Sequence, residues 1–155
     1  KKTTALIPFV AKPVGLGSDT QIIRKENPDL KRFLECIERK QFLFKIGFDS
    51  CTVPALLGSS SFASRSMDTC EGGRWSAYIS SDLKMMPCSF DNQKQRWSVD
   101  LRSSTIQEAW FSKAFDDFRS HLKNACPECK HRSNCMGGCP ICPEIVLCDA
   151  HERKV

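Results

Sequence analysis

Cys126-Pro-Glu-Cys-Lys-His-Arg-Ser-Asn-Cys135-Met-Gly-Gly-Cys139-Pro-Ile-Cys142-Pro-Glu-Ile-Val-Leu-Cys148 gathers six of the chain's ten cysteines into 23 residues. Thiols at two-, five- and three-residue intervals, broken by Pro and Gly, converge on a metal more readily than on one another. A Cys-x-x-Cys turn puts two thiolates on one side of a tight loop, where a soft metal ion or an iron–sulfur cluster can take both. The run therefore reads as metal ligation, and an upstream pair, Cys70 and Cys88, extends it.

Working outward, 155 residues amount to one domain, or a small domain with part of another. The chain is 41% hydrophobic and 26% charged, as a folded protein should be. An even cysteine count would suit disulfides, but no signal peptide is visible and the spacing favours metal, so reduced thiols and the cytoplasm are expected. No run approaches the ~18 apolar residues of a membrane span, so a soluble chain is expected. The formal charge is +5 with every thiol counted neutral. Eight thiolates around two 4Fe–4S clusters would contribute roughly −4, and two all-cysteine zinc sites the same. Charge thus points only weakly to nucleic acid and does not separate the two metals.

Along the chain, Ala5-Leu-Ile-Pro-Phe-Val-Ala11 predicts a short buried strand, followed by a loop through Lys12-Pro-Val-Gly-Leu-Gly17. Beginning at Lys1 without Met, it reads as the end of something longer. Asn27-Pro28 starts a helix with Leu30, Phe33, Leu34 and Ile37 on one face, running to about Lys40. Phe42–Ile46 predicts a strand, and Gly58–Ser66 a serine-rich loop. Trp75, Ala77 and Ile79 open a hairpin that turns at Ser81-Asp82 and returns through Leu83–Met86, which would carry Cys70 and Cys88 to one end. A helix with a capping box, Thr105 and Glu108, carries the apolar stripe Ile106, Ala109, Trp110, Phe115, Phe118 and Leu122.

The order Cys70, hairpin, Pro87-Cys88, helix, Cys126-x-x-Cys129, Cys135, Cys139 and Cys148 resembles the SPASM domain, the auxiliary-cluster domain at the C-terminus of many radical S-adenosylmethionine enzymes. Ile106-Gln-Glu-Ala-Trp110, Cys135-Met-Gly-Gly-Cys139-Pro140 and Pro143-Glu-Ile-Val-Leu-Cys148 are similar to that family as well. The resemblance covers about residues 45–150, and Phe9–Gly17 is similar to the last strand and loop of the barrel that precedes such domains. It implies an α+β fold: a small β-hairpin, helices and cysteine-rich loops wrapped around two metal clusters, after the remnant of a partial (β/α) barrel. Residues 1–44 would be the barrel end and linker, and 45–155 the auxiliary-cluster domain.

The resemblance further implies two 4Fe–4S clusters. Cys126, Cys129, Cys135 and Cys148 would hold the second, and Cys70, Cys88 and Cys139 the first. The fourth ligand of the first is open: Cys51 leads, Cys142 follows, and an iron with an exchangeable position is the third option. Cys36, inside the first helix, reads as a small hydrophobe. Where the family often has a glycine five residues before the cysteine at Cys88, this chain has Leu83, so the turn is expected to rely on Ser81-Asp82. Cys135, Cys139 and Cys142 also have the spacing of the catalytic cluster of such enzymes, but that motif belongs near the start of a barrel and only 13 residues follow Cys142 here. The expectation is an auxiliary domain without the catalytic motif.

The function implied is part of a radical enzyme, an oxidoreductase that modifies a peptide or protein, with the clusters binding substrate or relaying electrons. S-adenosylmethionine would enter only through a catalytic domain, on the same or a separate chain. An electron donor or acceptor protein would be the other partner. The competing reading is a zinc-stabilised binding module, with Cys126, Cys129, Cys135 and Cys139 on one ion. Lys123, Lys130, His131 and Arg132 make a modest basic patch for it, but no basic–aromatic stripe of the nucleic-acid kind is evident. His121, His131 and His151 read as surface residues, and Asp49, Asp82 and Asp91 lack a carboxylate partner for acid–base work.

Overall fold

The computed structural model describes residues 4–17, 21–39, 41–59, 69–124 and 126–148. The fold is α+β, with two small sheets and short helices joined by cysteine-bearing loops. Strand β1 (Ala5–Leu6) pairs in parallel with β2 (Lys45–Ile46), Ala5 opposite Lys45 and Leu6 opposite Ile46. Helix α1 (Pro28–Arg39) lies between them in sequence, the crossover that a parallel pair requires. Asn27 caps α1, its side-chain oxygen accepting from the Asp29 amide at 2.8 Å.

The expected buried strand at Ala5–Ala11 needs correcting. Its regular part is two residues long, and Leu6, Ile7 and Phe9 are exposed. An apolar run is buried only where something covers it, and β2 supplies one edge and no face.

Helix α2 (Val53–Ser59) is also a correction, since its end was expected to be loop. A 3₁₀ turn at Ser50–Thr52, capped by Asp49, leads into it, and Pro54 suits its first turn. Ala55 and Leu56 pack with Leu30 and Leu34 of α1 and with Leu147, while Val53 and Leu57 pack against Cys135. Residues 60–66 of the expected serine-rich loop lie outside the described residues, as does Lys40.

The hairpin is present, but narrower and with a third strand that the sequence did not announce. Strand β3 (Tyr78–Ile79) pairs antiparallel with β4 (Lys84–Met86), and β4 with β5 (Val99–Asp100). Trp75, expected to begin the strand, sits exposed in the preceding turn. Met85 and Met86 are buried, Met85 against Ala109 and Phe115.

The capping box at Thr105 and Glu108 is complete, with the Thr105 amide donating to Glu108 Oε2 at 2.7 Å and the Glu108 amide to Thr105 Oγ1 at 3.2 Å. The helix it starts stops early: α3 spans Ile106–Trp110, and α4 (Lys113–Asn124) begins afresh. Ser112 makes the break, its hydroxyl accepting from the Phe115 amide in the manner of a new cap. The change of direction leaves Ile106 exposed, whereas Phe115, Phe118 and Leu122 are buried. A last short helix, α5 (Arg132–Cys135), lies within the cysteine run. Among the described residues no helix is long and apolar enough to cross a membrane.

The hairpin turn does not rest on Ser81-Asp82 alone. Leu83 itself adopts φ +61°, the left-handed third position of a three-residue hairpin loop, where glycine fits without steric cost. Ser80 anchors the turn, accepting from the Lys84 amide at 3.1 Å and donating to the Asp82 carboxylate. Leu83→Gly should raise stability by about 0.5–1 kcal/mol, the relief of strain exceeding the extra chain entropy. Leu83→Val, branched at Cβ, should lower it by about 1 kcal/mol. Thermal unfolding of both variants checks the pair, and a lower melting temperature for Leu83→Gly would contradict the turn assignment.

Candidate metal centre

Four loops carry the thiols. Cys51 lies in the 3₁₀ turn before α2; Cys70 and Cys88 flank the turn and hairpin of the antiparallel sheet; all the others but Cys36, which is on α1, follow α4. Cys70 and Cys88 meet around Gly72. A Cβ added there would lie 3.5 Å from Cys70 Sγ, 3.5 Å from Cys88 Cβ and 2.9 Å from the Pro87 carbonyl, so only glycine fits between them.

Polar ties hold these loops in place. Thr69 Oγ1 donates to the Cys135 carbonyl at 2.8 Å, joining the upstream pair to the cysteine run. Arg119 of α4 donates to the carbonyls of Gly73 (2.7 Å) and Trp110 (2.8 Å), and its guanidinium stacks 5.0 Å from the Trp110 ring. Asp91, three residues after Cys88, is buried and accepts from the amides of Trp97 (2.9 Å) and Arg96 (3.2 Å). It does structural work, as do Asp49 and Asp82. None of these ties was singled out from the sequence, because each joins a common polar side chain to a backbone group far along the chain.

Met136, Gly137 and Gly138 all lie in the left-handed region, at φ +54°, +83° and +81°. This turn separates Cys135 from Cys139. Gly138 also abuts Val146, to whose Cγ2 an added Cβ would come within 2.7 Å.

Electrostatics divide the sulfurs into two neighbourhoods. Burial pushes the Cys51 thiol up to about 12, with Asp49, Cys139 and Cys70 adding to the rise and Lys12 opposing it. Burial likewise raises Cys70 to about 11, aided by Cys139 and Cys88. Cys88 is raised by burial and by Cys139. On the other side, burial raises Cys135, and Cys148 and Cys126 reinforce it. Cys142 belongs with the first neighbourhood: its thiol is raised first by a hydrogen bond to Cys139, then by burial and by the charges of Cys139, Glu144 and Cys88, and its amide donates to Cys139 Sγ at 3.3 Å. Cys129 Sγ accepts from the His131 amide at 3.4 Å, and Cys36 stays half-buried on α1. His121 is exposed beside Trp97, and His151 lies outside the described residues.

Buried thiols that raise one another's pKa keep their protons until a cation compensates them, so the donor set fits a metal core of positive charge. Thr52 Oγ1, beside Cys51, is buried without a hydrogen-bond partner among the described residues. Among the described residues no three Cys, His, Asp or Glu side chains lie close enough to hold a single metal ion.

Residues 70–136 match the family model of SPASM, an iron–sulfur cluster-binding domain. This stretch is a SPASM domain. It is an auxiliary iron–sulfur domain of the kind typical of radical S-adenosylmethionine enzymes. The match is narrower than the 45–150 expected, leaving Cys51 before it and Cys139, Cys142 and Cys148 after it. No curated protein and no solved structure matches the chain significantly.

The left-handed turn inside the cysteine run is testable. Gly138→Ala should cost about 2–4 kcal/mol, combining left-handed strain with overpacking against Val146. Adding Val146→Ala should recover only the steric share. Chemical denaturation of the two single variants and the double variant measures this, and full recovery in the double would show that the left-handed backbone costs nothing.

Proposed function

We propose that the chain is the auxiliary-cluster part of a radical S-adenosylmethionine enzyme that modifies a peptide or protein. On this reading Cys51, Cys70, Cys88 and Cys139 hold a first 4Fe–4S cluster, and Cys126, Cys129, Cys135 and Cys148 a second. What supports it is that Cys139 helps to raise the thiols of Cys51, Cys70, Cys88 and Cys142, the first of them 88 residues earlier in the sequence, while its neighbour Cys135 is raised by Cys126 and Cys148.

The same interleaving weighs against zinc. A tetrahedral zinc ion with bonds of about 2.3 Å needs its sulfurs within about 3.8 Å of one another, and Cys126, Cys129, Cys135 and Cys139 would have to share it. A 4Fe–4S core would take each thiolate on a different iron and so accepts sulfurs farther apart than a single zinc ion does. Such a core, when bound, supplies a one-electron redox centre or an iron site for substrate. The chain's own part is to bury the ligands, fix them through Gly72, Thr69 and Arg119, and set the charge around them.

We assign residues 1–44 to a barrel end and 45–155 to the auxiliary domain; the parallel β1–α1–β2 unit is of the kind a barrel contains, and its second strand, β2, lies just past that boundary. The barrel's catalytic domain, a peptide or protein substrate and an electron-transfer protein are the partners this assigns, with S-adenosylmethionine bound outside this chain.

Protein purified without oxygen should be brown, with absorbance near 400 nm and about eight iron and eight sulfide per chain. Stoichiometric zinc without sulfide would contradict the reading. Cys51→Ala should lose iron and alter one cluster's spectrum, whereas Cys142→Ala should retain both clusters; the reverse pattern would exchange the two residues' roles.

A further inference from the structure

Lys12 and Asp49 form an ion pair that the cluster reading leaves unused. Lys12 Nζ lies 2.6 Å from Asp49 Oδ2, and the two side chains are only 11% and 15% exposed. Lys12 comes from the loop after β1, and Asp49 from the segment joining β2 to the Cys51 turn. The pair sits between two ligand loops. Asp49 Oδ1 accepts from the Cys51 amide, and Lys12 Nζ lies 5.0 Å from the centre of the Phe90 ring, two residues past Cys88.

Burying an ammonium and a carboxylate costs several kcal/mol per ion, and an apolar pair of similar volume would serve the fold as well or better. A lysine is also long enough to carry its charge to water. Its place between two ligand loops suits a use of the charge itself. The two ends reach different ligand loops: Asp49 lies two residues before Cys51 and accepts from its amide, while Lys12 sits over the ring that follows Cys88.

We propose that the Lys12–Asp49 pair sets the reduction potential of the cluster held by Cys51, Cys70, Cys88 and Cys139, Lys12 favouring the reduced form and Asp49 limiting that effect. The proposal rests on the ligand assignment given above. Reduction adds one electron from a low-potential donor to a centre already rich in thiolate charge; no bond forms or breaks. A fixed cation beside it stabilises the reduced state more than the oxidised one, and net charge is among the levers that place iron–sulfur potentials. Lys12 and Asp49 are thus positioning residues for charge, acting through the cluster.

The test is a dithionite titration of the anaerobically reconstituted full chain, followed by electron paramagnetic resonance, with iron and sulfide measured on every sample. Lys12→Met should weaken reduction of the first cluster about tenfold, about 59 mV for one electron. Asp49→Asn, which keeps the oxygen that accepts from Cys51, should shift the same potential the other way. Lys12→Arg should keep the wild-type value, the double variant should return towards it, and the second cluster should not move. With both clusters present, shifts of the same sign in the two single variants, or no shift in Asp49→Asn, would overturn the proposal alone. If instead Cys51→Ala and Cys70→Ala leave iron and spectra unchanged, the ligand assignment fails and takes the proposal with it.

Discussion

The left-handed turn at Met136, Gly137 and Gly138 is the constraint on which the rest of the site depends. It reverses the chain between Cys135 and Cys139, so that two cysteines four positions apart in sequence fall into different electrostatic neighbourhoods. Cys135 is anchored by α2, through Val53 and Leu57, and by Thr69. Cys139 Sγ accepts from the Cys142 amide. A residue with a side chain at Gly138 would meet Val146, two positions before Cys148, so the turn also fixes where the last thiol arrives.

Around that turn the apolar packing is divided. One group joins α1, α2 and Leu147; another joins Met85, Ala109 and Phe115; a third joins Trp97, Phe118 and Leu122, with half-buried Cys70, Met136 and Ile141 against it. Each is small, and the cysteine loops run between them. Small cores of this kind gain from a staple, and thiolates that share a metal core supply one. The polar ties from Thr69, Asp91 and Arg119 do the same work at the level of single hydrogen bonds. Metal, turn and packing are therefore one structural problem with one solution.

What was legible in the sequence was what local chemistry dictates. Asn27-Pro28 starts α1, Thr105 and Glu108 close a capping box, and the hairpin lies between Cys70 and Cys88, because caps and alternation act over a few residues. The cysteine spacing carried the family, and residues 70–136 match it. What was not legible depends on partners distant in sequence. Helix α2 is a seven-residue, largely apolar run with no period of its own, next to a serine tract, and it is buried by residues from both ends of the chain. Strand β5 exists because β4 offers an edge. The exposed face of β1 and the break at Ser112 follow from what does or does not pack against them. Lys12 and Asp49 are ordinary charged residues until the fold sets them beside Cys51 and Cys88.

The central claim is that Cys135 and Cys139 serve different clusters. Cys135→Ala and Cys139→Ala, prepared anaerobically and compared by electron paramagnetic resonance of the reduced proteins with iron quantitation, test it most directly. The account predicts that each variant alters a different cluster signal and leaves the other at its wild-type shape. Loss of the same signal in both variants would contradict it.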